Sequence, residues 1–302
     1  MKEIFNIFGM QLFLLCLVLV GIIVAKLGIV DQHTRMSLNE LLLNVFLPCT
    51  ILNSFFNTDG SLLFSLLTIL IISAGILALC FVLSKLLYIK ADSRQKKVLL
   101  YATLISNAIF LGMPIVENIY GAGSPVYVSA YLLPSRIAVW TAGVAIFSSG
   151  KVSVKKMLLH PCMVATYLGL IVLFMRIKPP VLVYRLVSNL GNCNTPVAML
   201  VVGNVLAAID PRKIITKLTV YYTFIRLLLV PFLVMLILHF VRVDPMIMGI
   251  SVILSGMPTG PTTAILADKY KVDSELACKI IFISTFLSIF TTPLLAWLLK
   301  FF

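Results

Sequence analysis

The stretch Ser106–Pro114 reads SNAIFLGMP, and its last three letters return in SVILSGMPTGP, Ser251–Pro261. Both copies lie inside apolar runs, where proline removes a helix hydrogen bond and its ring clashes with the preceding turn. Pro114 and Pro258 stand 144 residues apart, close to half of a 302-residue chain. Pro48 in NVFLPCTILN and Pro196 in GNCNTPVAML repeat the relation at 148 residues. Single prolines often kink membrane helices for packing, but four in matched positions point to a duplicated design.

Working outward, the chain is 61% hydrophobic and 12% charged, with a mean hydropathy of +1.09. Soluble domains carry about 25% charged residues. Apolar runs of about 20 residues follow one another, the length that spans about 30 Å of hydrocarbon. Runs such as Leu62–Leu87 do not alternate apolar with polar, so a β-barrel is excluded and the class is all-α. Polar breaks predict ten spans, at Ile4–Ala25, Leu38–Phe56, Leu62–Leu87, Val98–Ile119, Val126–Phe147, Met157–Met175, Val181–Ala208, Ile214–Phe240, Met246–Ala267 and Leu276–Leu299. The net charge of +13 follows the positive-inside rule rather than suggesting nucleic acid. With the N-terminus outside, sixteen cations fall in the five cytoplasmic loops and six on the outer side, leaving Arg136 and Arg226 within spans. Both termini are then outside.

A shift of five spans relates the prolines, and an odd shift turns the second unit upside down in the bilayer. Interrupted helices at matching positions of inverted repeats point to a binding site near the midplane. Around the first break stand Asn107, Gly112 and Pro114; around the second stand Ser255, Pro258, Thr259, Thr262 and Thr263; span seven adds Asn194. These neutral donors and acceptors suit an organic solute, with interhelical hydrogen bonding as the alternative. Arg136 calls for an aqueous cavity or an anion, unless it snorkels to an interface. Arg226 has the same two readings. No carboxylate is placed at mid-membrane, Glu117 being nearest, so ion coupling through a carboxylate is unsupported. The six cysteines form no CxxC or Cys/His cluster and read as packing residues. No metal-ligating or nucleophilic motif occurs, so neither an enzyme nor a cofactor is expected.

NVFLPCTIL, SNAIFLGMP, GNCNTPVAMLVVG and GMPTGPTTAILADKYKVDSELA together resemble the auxin efflux carrier family, which contains plant carriers and bacterial malonate-type permeases. The resemblance implies two inverted five-helix repeats, residues 1–148 and 149–302, as in sodium/bile-acid symporters. It assigns spans 1, 2, 6 and 7 to a scaffold and spans 3–5 and 8–10 to a transport domain, with broken helices crossing at Pro114 and Pro258. It further implies Asn107 and Arg136, four residues before Trp140, as substrate contacts. Glutamine is expected at that last position in the plant carriers, so Arg136 favours a small carboxylate over auxin. The expectation is an elevator-type transporter of small organic anions in a bacterial cytoplasmic membrane, with a homodimer as the family's habit. The alternatives are a sodium- or proton-coupled symporter of larger anions and a sensor that binds without transport.

Overall fold

Backbone amides in runs this apolar have no water to bond, and the helix satisfies them locally. The computed structural model describes the chain apart from residues 1, 57–62, 122–123, 140–142, 149–158, 208–210 and 302. The described residues form helices and turns, with one isolated β-bridge. Trp140, the join between the expected repeats, and the expected span ends at Leu62, Met157 and Ala208 lie outside the described residues.

The first half comprises α1 (Lys2–Lys26), α2 (Gln32–Leu41), α3 (Leu47–Phe56), α4 (Leu63–Leu87), α5 (Ser93–Leu104), α6 (Met113–Tyr120), α7 (Pro125–Ala138) and α8 (Val144–Phe147). The second comprises α9 (Pro161–Phe174), α10 (Val181–Asn192), α11 (Asn194–Ala207), α12 (Lys217–Phe224), α13 (Val230–Val241), α14 (Pro245–Ser255), α15 (Thr262–Lys269) and α16 (Ser274–Leu298). Among the described residues, five helical stretches are long and apolar enough to cross a membrane: Gln32–Asn53, Ser65–Leu87, Val181–Ala207, Lys217–Val241 and Ser274–Leu298. The predicted fourth and ninth spans fall short because each is interrupted, between α5 and α6 and between α14 and α15.

Three π turns share one position relative to proline. Leu42–Phe46 precedes Pro48, Ala108–Gly112 precedes Pro114, and Ile225–Leu229 precedes Pro231. In each, the residue before the proline donates to a carbonyl five residues back: Leu47 to Leu42, Met113 to Ala108, and Val230 to Ile225. Proline cannot donate and crowds the carbonyl four residues before it. A wider turn just upstream accommodates the ring without breaking the helix.

Helix starts are capped by short polar side chains. Asp92 forms a reciprocal capping box with Gln95, and Asp31 accepts from the Thr34 N–H at 2.8 Å. Hydrogen bonds from Thr34 hold the Asp31 carboxyl below its ordinary pKa. In lipid, close helix pairs rely on small residues. The pairing of α1 with α11 does so: a Cβ on Gly203 would stand 2.2 Å from the Val18 carbonyl oxygen, and one on Gly21 would stand 2.5 Å from that of Leu200.

At one end of the bundle, polar groups tie α2 and α11 to α15. Arg35 pairs with Asp268 at 3.3 Å and donates to the Asn204 side chain at 3.3 Å, and Asn39 donates to Asp268 at 2.9 Å. Lys269 pairs with Glu40 at 3.0 Å.

Candidate functional site

Gly256-Met257-Pro258-Thr259-Gly260-Pro261 cannot remain helical, because two prolines withhold donors and push Met257 and Gly260, the residues before them, toward extended backbone. The chain unwinds there, between α14 and α15. The matching unwound stretch is Ile105–Asn107, where Ile105 adopts φ −115° and ψ 109°. The two stretches run antiparallel and bridge at Ser106 and Thr259. The Asn107 N–H donates to the Pro258 carbonyl at 2.7 Å, and the Gly260 N–H donates to the Ile105 carbonyl at 3.2 Å. A Cβ on Gly260 would stand 3.1 Å from the Ser106 carbonyl oxygen, so this approach favours glycine.

The crossing is set differently from the expectation on one side. Pro258 lies within it, whereas Pro114 occupies the first turn of α6, beyond the π turn and seven residues after Asn107. Proline is well tolerated in a first turn. The first break therefore coincides with Ser-Asn, whose short polar side chains compete with helical hydrogen bonds, and the facing strand supplies its partners.

A cavity of about 70 Å³ adjoins this crossing, between α3 and α7. Its polar lining comes from Ser106, Asn107, Arg136, Ser135, Thr50 and Thr262, and no carboxylate lines it among the described residues. Asn107 is 3% exposed, and its Oδ1 has no hydrogen-bond partner among the described residues. Arg136 is 4% exposed, with its guanidinium carbon 5.2 Å from the centre of the Phe55 ring, a cation–π contact. Thr262 opens α15, whose N-terminus carries the positive end of the helix dipole. A buried cation, an amide and a helix N-terminus thus face one small cavity, an arrangement that binds anions.

Other expected site residues are placed elsewhere. The Thr259 hydroxyl points to Tyr222 Oη at 2.7 Å and also meets Ser284 at 3.3 Å. Ser255 donates back to the Val252 carbonyl at 2.8 Å. A Cβ on Gly112 would meet Leu254 at 2.6 Å, so its part is close packing against α14. Asn194 is fully buried in α11, away from this cavity. Thr263 is buried on α15, outside the cavity lining. The side chain of Pro114 lies outside the described residues. Sequence reasoning missed Thr50, Ser135 and Phe55. Phe55 carries no polar signal, and Ser135 could have been found as the neighbour of Arg136.

Comparison with known proteins adds a family. The sequence profile described as Membrane transport protein matches residues 7–155 and 146–296. An uncharacterised transporter of Methanothermobacter thermautotrophicus is 26% identical over 290 residues, covering 93% of this chain and 94% of that protein. A second uncharacterised transporter, from Methanocaldococcus jannaschii, is 24% identical over 307 residues, covering 95% and 97%. A Rhizobium meliloti protein with the provisional name malonate transporter is 29% identical over 147 residues, covering 48% of this chain and 46% of that protein. The chain therefore belongs to the membrane transport protein family, the auxin efflux carrier group that its motifs resemble, and is an integral membrane transporter.

Proposed function

We propose that this transporter carries small organic anions, mono- or dicarboxylates, by alternating access. The observation that carries the reading is the convergence of Arg136, the Asn107 amide and the α15 N-terminus on one cavity at the crossing. A carboxylate placed there would accept from the guanidinium and from the Asn107 NH2 group. The small cavity favours a short acid over a bulky amphiphile. The provisional name of the Rhizobium meliloti relative makes malonate the first compound to try.

On this reading the chain has ten spans in two inverted repeats, with α1–α3 and α9–α11 as scaffold and α4–α8 and α12–α16 as the moving unit. Two breaks that meet at matched places in the chain support it. The test is uptake of labelled malonate, acetate and succinate by proteoliposomes containing the purified protein. Saturable uptake of at least one acid, with its KM raised in Arg136→Gln, is expected. Absence of uptake of every short acid by folded protein would overturn the reading.

A further inference from the structure

The crossing has a second arginine that the anion cavity does not use. Arg226 lies in the π turn before Pro231 and is 2% exposed. Its Nε donates to the Met257 carbonyl at 3.0 Å and its Nη1 to the Thr103 carbonyl at 2.7 Å. Thr103 is in the last turn of α5, and Met257 follows the end of α14. One guanidinium therefore caps the C-terminal ends of both broken helices. Such ends present carbonyls without intrahelical donors and carry the negative end of the helix dipole.

In transporters with discontinuous helices, unwound carbonyls and half-helix C-termini are what coordinate sodium ions or protons. We infer that the guanidinium of Arg226 is a resident cation, seated where an exchangeable monovalent cation would otherwise neutralise the two helix ends. The carrier then assembles its crossing without an alkali ion. Three features support this. The two carbonyls come from different halves of the chain, which a structural arginine bonding its own neighbours would not require. No ion pair joins Arg226 to a carboxylate among the described residues, so the helix ends are its counter-charge. A second cavity of about 30 Å³ adjoins the guanidinium and is lined by the hydroxyl-bearing residues Ser73, Ser106, Tyr131, Ser135 and Ser255. Truncating the arginine would enlarge that space and leave it polar.

The inference bears on the proposed transport cycle, but its test does not use transport and so stands or falls separately. Purified wild type, Arg226→Ala, Arg226→Gln and Arg136→Ala are melted in lipid nanodiscs. Guanidinium, sodium or lithium chloride is titrated to about 20 mM, with ionic strength held by choline chloride. The wild type is expected to melt at one temperature in every salt. Arg226→Ala is expected to melt several degrees lower in choline and to recover at least half the loss with guanidinium or a small alkali ion. Arg136→Ala is expected to show no such recovery. Arg226→Gln takes the place of Arg226→Ala if the latter yields no folded protein. Indifference of the Arg226 variants to all three cations would overturn the inference. So would stabilisation of the wild type by sodium, which would mean that an exchangeable site remains. Cation recovery without uptake of any of the short acids would retire the substrate reading and leave this one intact.

Discussion

Arg136 and Asn107 face the same cavity with different chemistry, and this difference sets what their removal does. Hydrogen bonds to a charged group contribute about 1.5–3 kcal/mol and neutral ones about 0.5–1.5 kcal/mol. Arg136→Gln is therefore expected to raise the KM for a carboxylate by about ten- to a hundredfold, and Asn107→Ala by about two- to tenfold, at 1.4 kcal/mol per tenfold. Asn107→Asp, nearly the same shape, is expected to do more damage than alanine because it sets a carboxylate against an anion. Initial rates of uptake over a range of substrate concentrations check all three, and equal effects of Asn107→Ala and Asn107→Asp would remove Asn107 from the anion's contacts. Both residues were legible in the sequence because a polar group inside an apolar run has few reasons to be there. Thr259 and Ser255 looked equally eligible and turn elsewhere. Within an unwound stretch no helical period says which way a side chain points, and that direction is fixed only by the facing strand.

At the scale of elements, the two Gly-Met-Pro motifs marked the two interrupted regions, but only one of their prolines stands in the interruption itself. Pro258 stands in its break, while the π turn at Ala108–Gly112 absorbs Pro114 and the chain unwinds upstream at Ile105–Asn107. The sequence period cannot show this, because whether a proline breaks or only widens a helix depends on which partner awaits the freed carbonyls. The glycine contact of α1 with α11 was equally hidden, since Gly21 and Gly203 look like any other membrane glycines. It carries a sharp expectation. Gly203→Leu must push the two backbones apart, as Val18 O already stands 2.2 Å from the Cβ position. A loss of about 1–3 kcal/mol is expected from overpacking, read as a lower melting temperature. Gly75→Leu, where no atom lies within 4 Å of the Cβ position, is expected to change the melting temperature little.

At the scale of the whole molecule, composition alone settled the membrane and the helical class, while the contact between halves needed the structure. The cluster of Arg35, Asn39, Asn204 and Asp268 joins α2 and α11 to the end of α15. On the proposed cycle these elements separate once per turnover, so the cluster favours one end state. Asp268→Asn is expected to shift that balance about three- to tenfold, measured as faster thiol labelling of a cysteine placed beside Asp268. The charge-swapped pair Arg35→Asp with Asp268→Arg is expected to restore slow labelling, and an unchanged rate in Asp268→Asn would show that the cluster does not hold the halves. The crossing, for its part, carries Arg136 and Arg226 beside cavities in which no described residue is acidic. Membrane voltage acts on such a pair. Moving one charge through the full field amounts to about 2.3 kcal/mol per 100 mV. On the proposed cycle, a crossing that travels empty would carry two positive charges, and an interior-negative cell would draw it inward. On that cycle a monoanion would halve the pull and a dianion would cancel it, so the valence of the cargo would set how strongly the membrane potential acts on the loaded leg relative to the empty one.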